Sequence, residues 1–141
     1  MILLDTDVVS EPLRPAPQPA VLAWLDQQAI ETLYLSAISL AELRYGVAAL
    51  PSGRRRDALG TALEQRVVAA FGPRILAFDS AAATAYAVIR ARAKAAGKAI
   101  GGADGYIAAT ALAHGFSIAT RDTSPFVGAG INVIDPWEPA A

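Results

Sequence analysis

MILLDTD, residues 1–7, decides the fold. Met1 to Leu4 form a short, continuous apolar run, and the polar Asp5-Thr6-Asp7 ends it at once. An apolar run of that length, stopped by turn-forming residues, reads as a buried strand. The same grammar recurs at 116–122, FSIATRD, where Phe116 to Ala119 are ended by Thr120-Arg121-Asp122. Thr32 to Leu35, Ile75 to Phe78 and Ile131 to Ile134 are three further strand candidates. Between them lie longer segments with helical spacing. Ala20 to Gln28 places Val21, Trp24 and Leu25 on one face, and Ser39 to Leu50 does the same with Leu40, Leu43 and Val47. Arg54 to Phe71 is a longer helix, weakened by Gly60, and it should form a helical hairpin with the segment before it. Ser80 to Ala96 and Ala103 to His114 complete the set, the last with Gly115 as C-cap. Pro12, Pro15, Pro17 and Pro19 mark an irregular link after the first strand. Short apolar strands alternating with helices predict an α/β fold, a parallel sheet covered on both faces, as one domain over residues 1–141.

Composition narrows the chemistry. The chain has no cysteine and one histidine, so thiolate metal sites, disulfides and multi-histidine zinc sites are excluded. Hydrophobic residues make up 54% of the chain, yet no apolar run approaches the roughly 18 residues of a membrane span. Only Met1 to Leu4 precede the first acid, which predicts no signal peptide and a cytoplasmic protein with no membrane partner. The net charge is −1, so bulk basicity does not carry the protein to nucleic acid. Setting four site acids aside leaves 12 basic against 9 acidic residues, a mildly positive shell around a negative centre. Arg54-Arg55-Arg56 form one basic run, read as a solvated helix start, with guidance of nucleic acid as the alternative. Arg90, Arg92, Lys94 and Lys98 form another. His114 reads as a cation at a helix C-terminus, and Trp24, Tyr45 and Tyr86 as core or interface residues.

Catalysis therefore falls to carboxylates. Asp5 and Asp122 each follow a strand, where open parallel sheets bind their ligands. Taken singly, each also suits a turn or a helix N-cap. Asp104 occupies the first turn of a helix after Gly101-Gly102, a place where the macrodipole favours an anion. Glu42 closes a capping box with Ser39, and that helix start can also face the crevice. Four converging carboxylates repel one another unless a divalent cation lies between them. Mg²⁺ suits such an oxygen set, and a metal held there can activate water and offset charge on a phosphoryl transition state.

The segments MILLDTDVVSEPLR, LSAISLAELRYGVA, ADGYIAATA and IATRDTSPF, with IDPW near the end, together resemble the PIN-domain family, and within it the VapC toxins of the FitB-like branch. The likeness runs from Met1 to Trp137. It implies a three-layer α/β/α sandwich around a short central parallel sheet with a helical hairpin. It also implies a Mg²⁺- or Mn²⁺-dependent endoribonuclease, the toxin of a toxin–antitoxin pair. The family's acidic quartet falls on Asp5, Glu42, Asp104 and Asp122, as metal ligands and catalytic groups. Thr120 takes the place of the hydroxyl residue that supports the last acid, and Thr6 assists beside Asp5. Asp7 stands where the family usually has asparagine; it is expected to cap the next helix through Val8-Val9, or else to add a fifth charge. Arg44 and Arg121 are candidates for RNA-phosphate contact or for pairing with a carboxylate. The implied partners are RNA, a cognate antitoxin that inhibits the toxin, a second copy in a homodimer, and operator DNA reached through the antitoxin. Two other readings compete. One is a non-catalytic scaffold that binds an antitoxin and regulates transcription. The other is a haloacid-dehalogenase-like phosphatase, suggested by Asp5-Thr6-Asp7.

Overall fold

A computed structural model describes residues 1–138; the last three positions of the expected domain lie outside the described residues. Strand β1 (Ile2–Leu4) leads into the short helix α1 (Thr6–Ser10) and then α2 (Pro19–Asp26). Next come β2 (Leu33–Ser36), α3 (Ala37–Ala48) and α4 (Arg54–Ala62), the last continuing through π-helical residues Leu63–Val68 into α5 (Ala69–Phe71). The second half holds β3 (Ile75–Leu76), α6 (Ser80–Ala95), α7 (Gly102–His114), β4 (Ser117–Ala119), α8 (Ser124–Val127) and β5 (Val133–Ile134). All five strands are parallel, in the order β3-β2-β1-β4-β5. The helix at 54–71 runs through Gly60 as expected; of the short helices, α1 was expected only as the helix that Asp7 would cap, and α8 was not expected. Both are too short to show helical periodicity.

The register explains why strands of two to four residues hold. Leu3 lies beside Tyr34 and Ile118, and this row packs against Ile89 of α6 and Ile107 and Ala108 of α7. Leu4 lies beside Leu35 and Ala119, and that row packs against Val8 of α1, Leu40 and Leu43 of α3, and Phe71 of α5. Each leucine buried in this way contributes about 1.5–3 kcal/mol, against about 1 kcal/mol net for a ladder hydrogen bond. Burial on both faces therefore stabilises the sheet more than its short ladders do. The result is the three-layer sandwich with the helical hairpin of α3 and α4, which pack against each other.

Topology places the crevice. From β1 the chain moves to β2 and β3 on one side; after α6 and α7 it crosses to β4 and β5 on the other. The strand order thus reverses between β1 and β4, and the carboxyl ends of these strands border an opening of the kind that binds ligands. No helix among the described residues is long and apolar enough to cross a membrane.

Candidate active site

The period of two continues past the strand ends. After Leu3 and Ile118, the next positions facing the same way are Asp5 and Thr120. Both are buried, at 7% and 0% exposure. The Asp5 amide donates to the Ala119 carbonyl at 2.9 Å, which holds the two strand ends together. The Thr120 hydroxyl then donates to one Asp5 carboxylate oxygen at 2.8 Å, and the Thr6 amide donates to the other at 2.8 Å. Asp5 is thereby the N-cap of α1. Asp7, expected to cap that helix, instead sits exposed in its first turn.

Asp104 enters from α7. A helix that crosses over between parallel strands runs against them, so its first turn lies above their carboxyl ends. The macrodipole there favours ionisation by about 0.3–2 kcal/mol. The Asp104 carboxyl is nonetheless raised above its ordinary range, first by burial and then by the charges of Asp122, Glu42 and Asp7. Asp5 is raised to about 6. Burial is the main cause, its two hydrogen bonds oppose it, and Asp7 and Asp104 add to it. Asp7, Glu42 and Asp122 thus lie near enough to Asp104 for their charges to act on it, as the Asp104 charge acts on Asp5. Asp104 is the hub, since it interacts with all of the others.

The remaining members are held differently from the sequence reading. Glu42 is exposed, and it accepts from the Thr6 hydroxyl at 2.6 Å. Thr6 therefore serves Asp5 through its amide and Glu42 through its side chain. The expected capping box of Ser39 and Glu42 does not form. The cap of α3 is Ser36, whose hydroxyl accepts from the Ile38 amide at 2.9 Å, because the helix starts two residues earlier than expected. Ser39 is fully buried with its hydroxyl unpartnered. Asp122 accepts from the Ser124 hydroxyl at 3.2 Å, an anchor the sequence reading missed. The Asp-x-Ser spacing was its available signal.

Of the two candidate arginines, Arg44 forms a double contact with Glu64, at 3.1 and 3.2 Å, away from the quartet. Arg121 lies over the Trp137 ring, 5.3 Å from its centroid. His114 is exposed at the end of α7, with its ring 5.2 Å from that of Phe116. As placed, no three carboxylates among the described residues form a ready-made ligand group. The donor chemistry nevertheless fits a hard divalent cation. The oxygens are carboxylates, two of them are destabilised by their neighbours' charge, and Glu42 and Asp122 lie at the surface, where rotamer changes can draw them inward.

Comparison with known proteins agrees with this fold. The PIN domain family model matches residues 2–129. The chain is 59% identical to VapC ribonuclease Y4jK of Sinorhizobium fredii over 99% of this chain and 100% of that protein. It is 54% identical to toxin FitB of Neisseria gonorrhoeae over 97% and 99%. The crystal structure of FitAcB from Neisseria gonorrhoeae superposes with a TM-score of 0.95 at 53% identity, covering 99% of this chain and 100% of that one. A structure of FitAB bound to an IR36 DNA fragment gives 0.96 at 51% identity, covering 100% and 99%. The chain belongs to the PIN-domain family, and within it groups with the relatives named VapC ribonuclease and toxin FitB.

Proposed function

We propose that this protein is the toxin of a toxin–antitoxin pair, a single-domain endoribonuclease that depends on Mg²⁺ or Mn²⁺. The observation that carries the reading is Asp5, buried at the end of β1, with both carboxylate oxygens held by the Thr120 hydroxyl and the Thr6 amide and Asp104 near enough for its charge to act on it. Buried, crowded carboxylates resist joint ionisation, and a divalent cation held by them would relieve that penalty. Asp5, Asp104, Asp122 and Glu42 are the groups that would hold it. A divalent ion in such a site supplies a Lewis acid and lowers the pKa of water. The chain's own residues do the positioning. Thr120 and the Thr6 amide fix both oxygens of Asp5, the Thr6 hydroxyl orients Glu42, and Ser124 steadies Asp122.

The relatives support the biological setting. Their names include ribonuclease and toxin, and the similar structures are complexes, one of them with DNA. On this reading a cognate antitoxin covers and inhibits the crevice, the toxin pairs with a second copy, and operator DNA is reached through the antitoxin. The protein acts in the cytoplasm, where its RNA substrate is found. Membership of the PIN-domain family leaves the phosphatase reading without support.

The test is cleavage of a panel of structured RNAs by purified protein with Mg²⁺, Mn²⁺ or EDTA, beside Asp104→Asn. Cleavage that needs metal and is lost in the variant is the expected result. No cleavage by the wild type with either metal overturns the catalytic reading and leaves the antitoxin-binding scaffold.

A further inference from the structure

Between Asp79 and Asp104 the chain carries four cations and no acid. The fold gathers three of them around a groove of about 670 Å³, between α6 and the link that joins it to α7. Arg90, Lys94 and Lys98 line it, together with Tyr86, Ile100 and Gly101. None of the three cations is within ion-pair distance of a carboxylate among the described residues. The contrast is the cleft of Arg44 and Arg56 between α3 and α4, where Asp57 and Glu64 share the lining and Arg44 is already paired.

Arg90 is also preorganised. Its guanidinium donates to the Tyr86 hydroxyl at 2.7 Å and lies over the Tyr86 ring, 5.5 Å from the centroid. Tyr86 is in turn stacked on Tyr106, with ring centroids 4.6 Å apart. A held, planar fork of donors loses little entropy when it takes a phosphate. The groove also borders α7, the helix that carries Asp104. Gly101 is the N-cap of α7, three residues before Asp104. A methyl group built on Gly105, the residue after Asp104, would lie 3.1 Å from the Tyr86 ring.

We propose that this groove binds the phosphodiester backbone of single-stranded RNA flanking the scissile bond, through Arg90, Lys94 and Lys98. The assignment rests on the ribonuclease reading above. A cationic groove beside stacked aromatic rings is the arrangement that tracks a single strand without reading its sequence. It also resolves an electrostatic difficulty, since the acidic crevice by itself repels a polyanion.

The experiment titrates fluorescein-labelled single-stranded RNA of mixed sequence with the full chain in EDTA, at several salt concentrations, by anisotropy. Cleavage with Mn²⁺ is followed in parallel. Removing three phosphate contacts in Arg90→Ala/Lys94→Ala/Lys98→Ala should flatten the slope of log affinity against log salt by about 2, at roughly 0.7 per contact. Arg54→Ala/Arg55→Ala, at the exposed start of α4, should leave the slope unchanged. Thermal melting by circular dichroism checks the fold, and Lys94→Glu alone replaces the triple variant if that fails to fold. A wild type that cleaves RNA while the slope does not move in the variant overturns the groove and spares the nuclease. An unchanged slope together with lost self-association in light scattering gives the groove to a protein contact instead. A wild type that neither binds nor cleaves RNA removes the nuclease reading, and the groove assignment with it.

Discussion

The N-terminal turn of α7 separates two regions of opposite charge built by opposite means. On one side, Asp5, Asp7, Glu42 and Asp122 lie within reach of the Asp104 charge, and none of the five is ion-paired with a cation among the described residues. On the other, Arg90, Lys94 and Lys98 share a groove that contains no acid. The acids come from β1, α1, α3, α7 and the end of β4, so only the folded sheet assembles them. The cations all come from α6 and the link after it. Among the described residues, each region lacks the counter-charge that would satisfy it. A surface made only for stability would pair such charges, as Arg44 and Glu64 are paired. Two unsatisfied regions of unlike sign, joined at one helix start, suit a metal and a polyanion taken together.

The sharpest way to break this contrast is at the hub. Asp104→Asn should lower metal-dependent RNA cleavage by about 10²–10³-fold, the usual loss when one aligned electrostatic group is removed. RNA affinity in EDTA should not fall, because a negative charge has been taken away. Anisotropy and a gel-based cleavage assay on the same preparation separate the two effects.

Next in size is stability. Asp5 ordinarily titrates near 3.8 and is raised to about 6 in the fold, so the folded state favours its protonated form. The stabilisation is fully present below about pH 4 and is lost as the pH rises through about 6, at most about 3 kcal/mol in all. Asp5→Asn should therefore melt higher than the wild type at pH 7.5 in EDTA, with the difference shrinking towards pH 4. Mg²⁺ or Mn²⁺ should raise the wild-type melting temperature at pH 7.5 and leave the variant almost unmoved. A variant less stable than the wild type at pH 7.5 would show that its altered hydrogen bonds outweigh the relief of burying no charge.

Thr120→Val tests the support of the crevice from below. It keeps the volume but deletes the hydroxyl that donates to Asp5. Losing such a partner of a metal-binding group costs about 10–100-fold in metal affinity. The Mn²⁺ concentration for half-maximal cleavage should rise accordingly, with a smaller change in the rate at saturation.

Smallest is Arg44→Ala. Its partner Glu64 is half exposed, as Arg44 is, and exposed pairs are worth about 0–1 kcal/mol. Urea melts should shift little, and the salt slope of RNA binding should not change. A flattened slope would mean that Arg44 leaves Glu64 to meet RNA, and that paired and unpaired cations are not the distinction drawn above.

Much of this architecture was legible beforehand because it depends on local pattern. Leu3 and Leu4 announce a strand buried on both faces, Gly115 closes α7 in the left-handed conformation, and residues 54–71 stay helical through Gly60. The placement of Asp5 and Asp122 after strands follows from the same apolar-to-polar breaks. Side-chain partners were less legible. Ser39 and Glu42 have capping-box spacing, yet Ser36 caps the helix, and Glu42 turns to Thr6, 36 residues earlier in the chain. Asp7 resembles a cap, but Asp5 already fills that role.

What the sequence determined by itself was the alternation of strands and helices, the order of the acids and the absence of cysteine and multi-histidine chemistry. These follow from side-chain periodicity and composition, which act over a few residues. Tertiary structure decided which acid is buried, which hydroxyl holds it and which cations remain unpaired. Those outcomes depend on solvent exclusion and on Coulomb interactions among groups as far apart in the chain as Asp5 and Thr120, and no local pattern carries them.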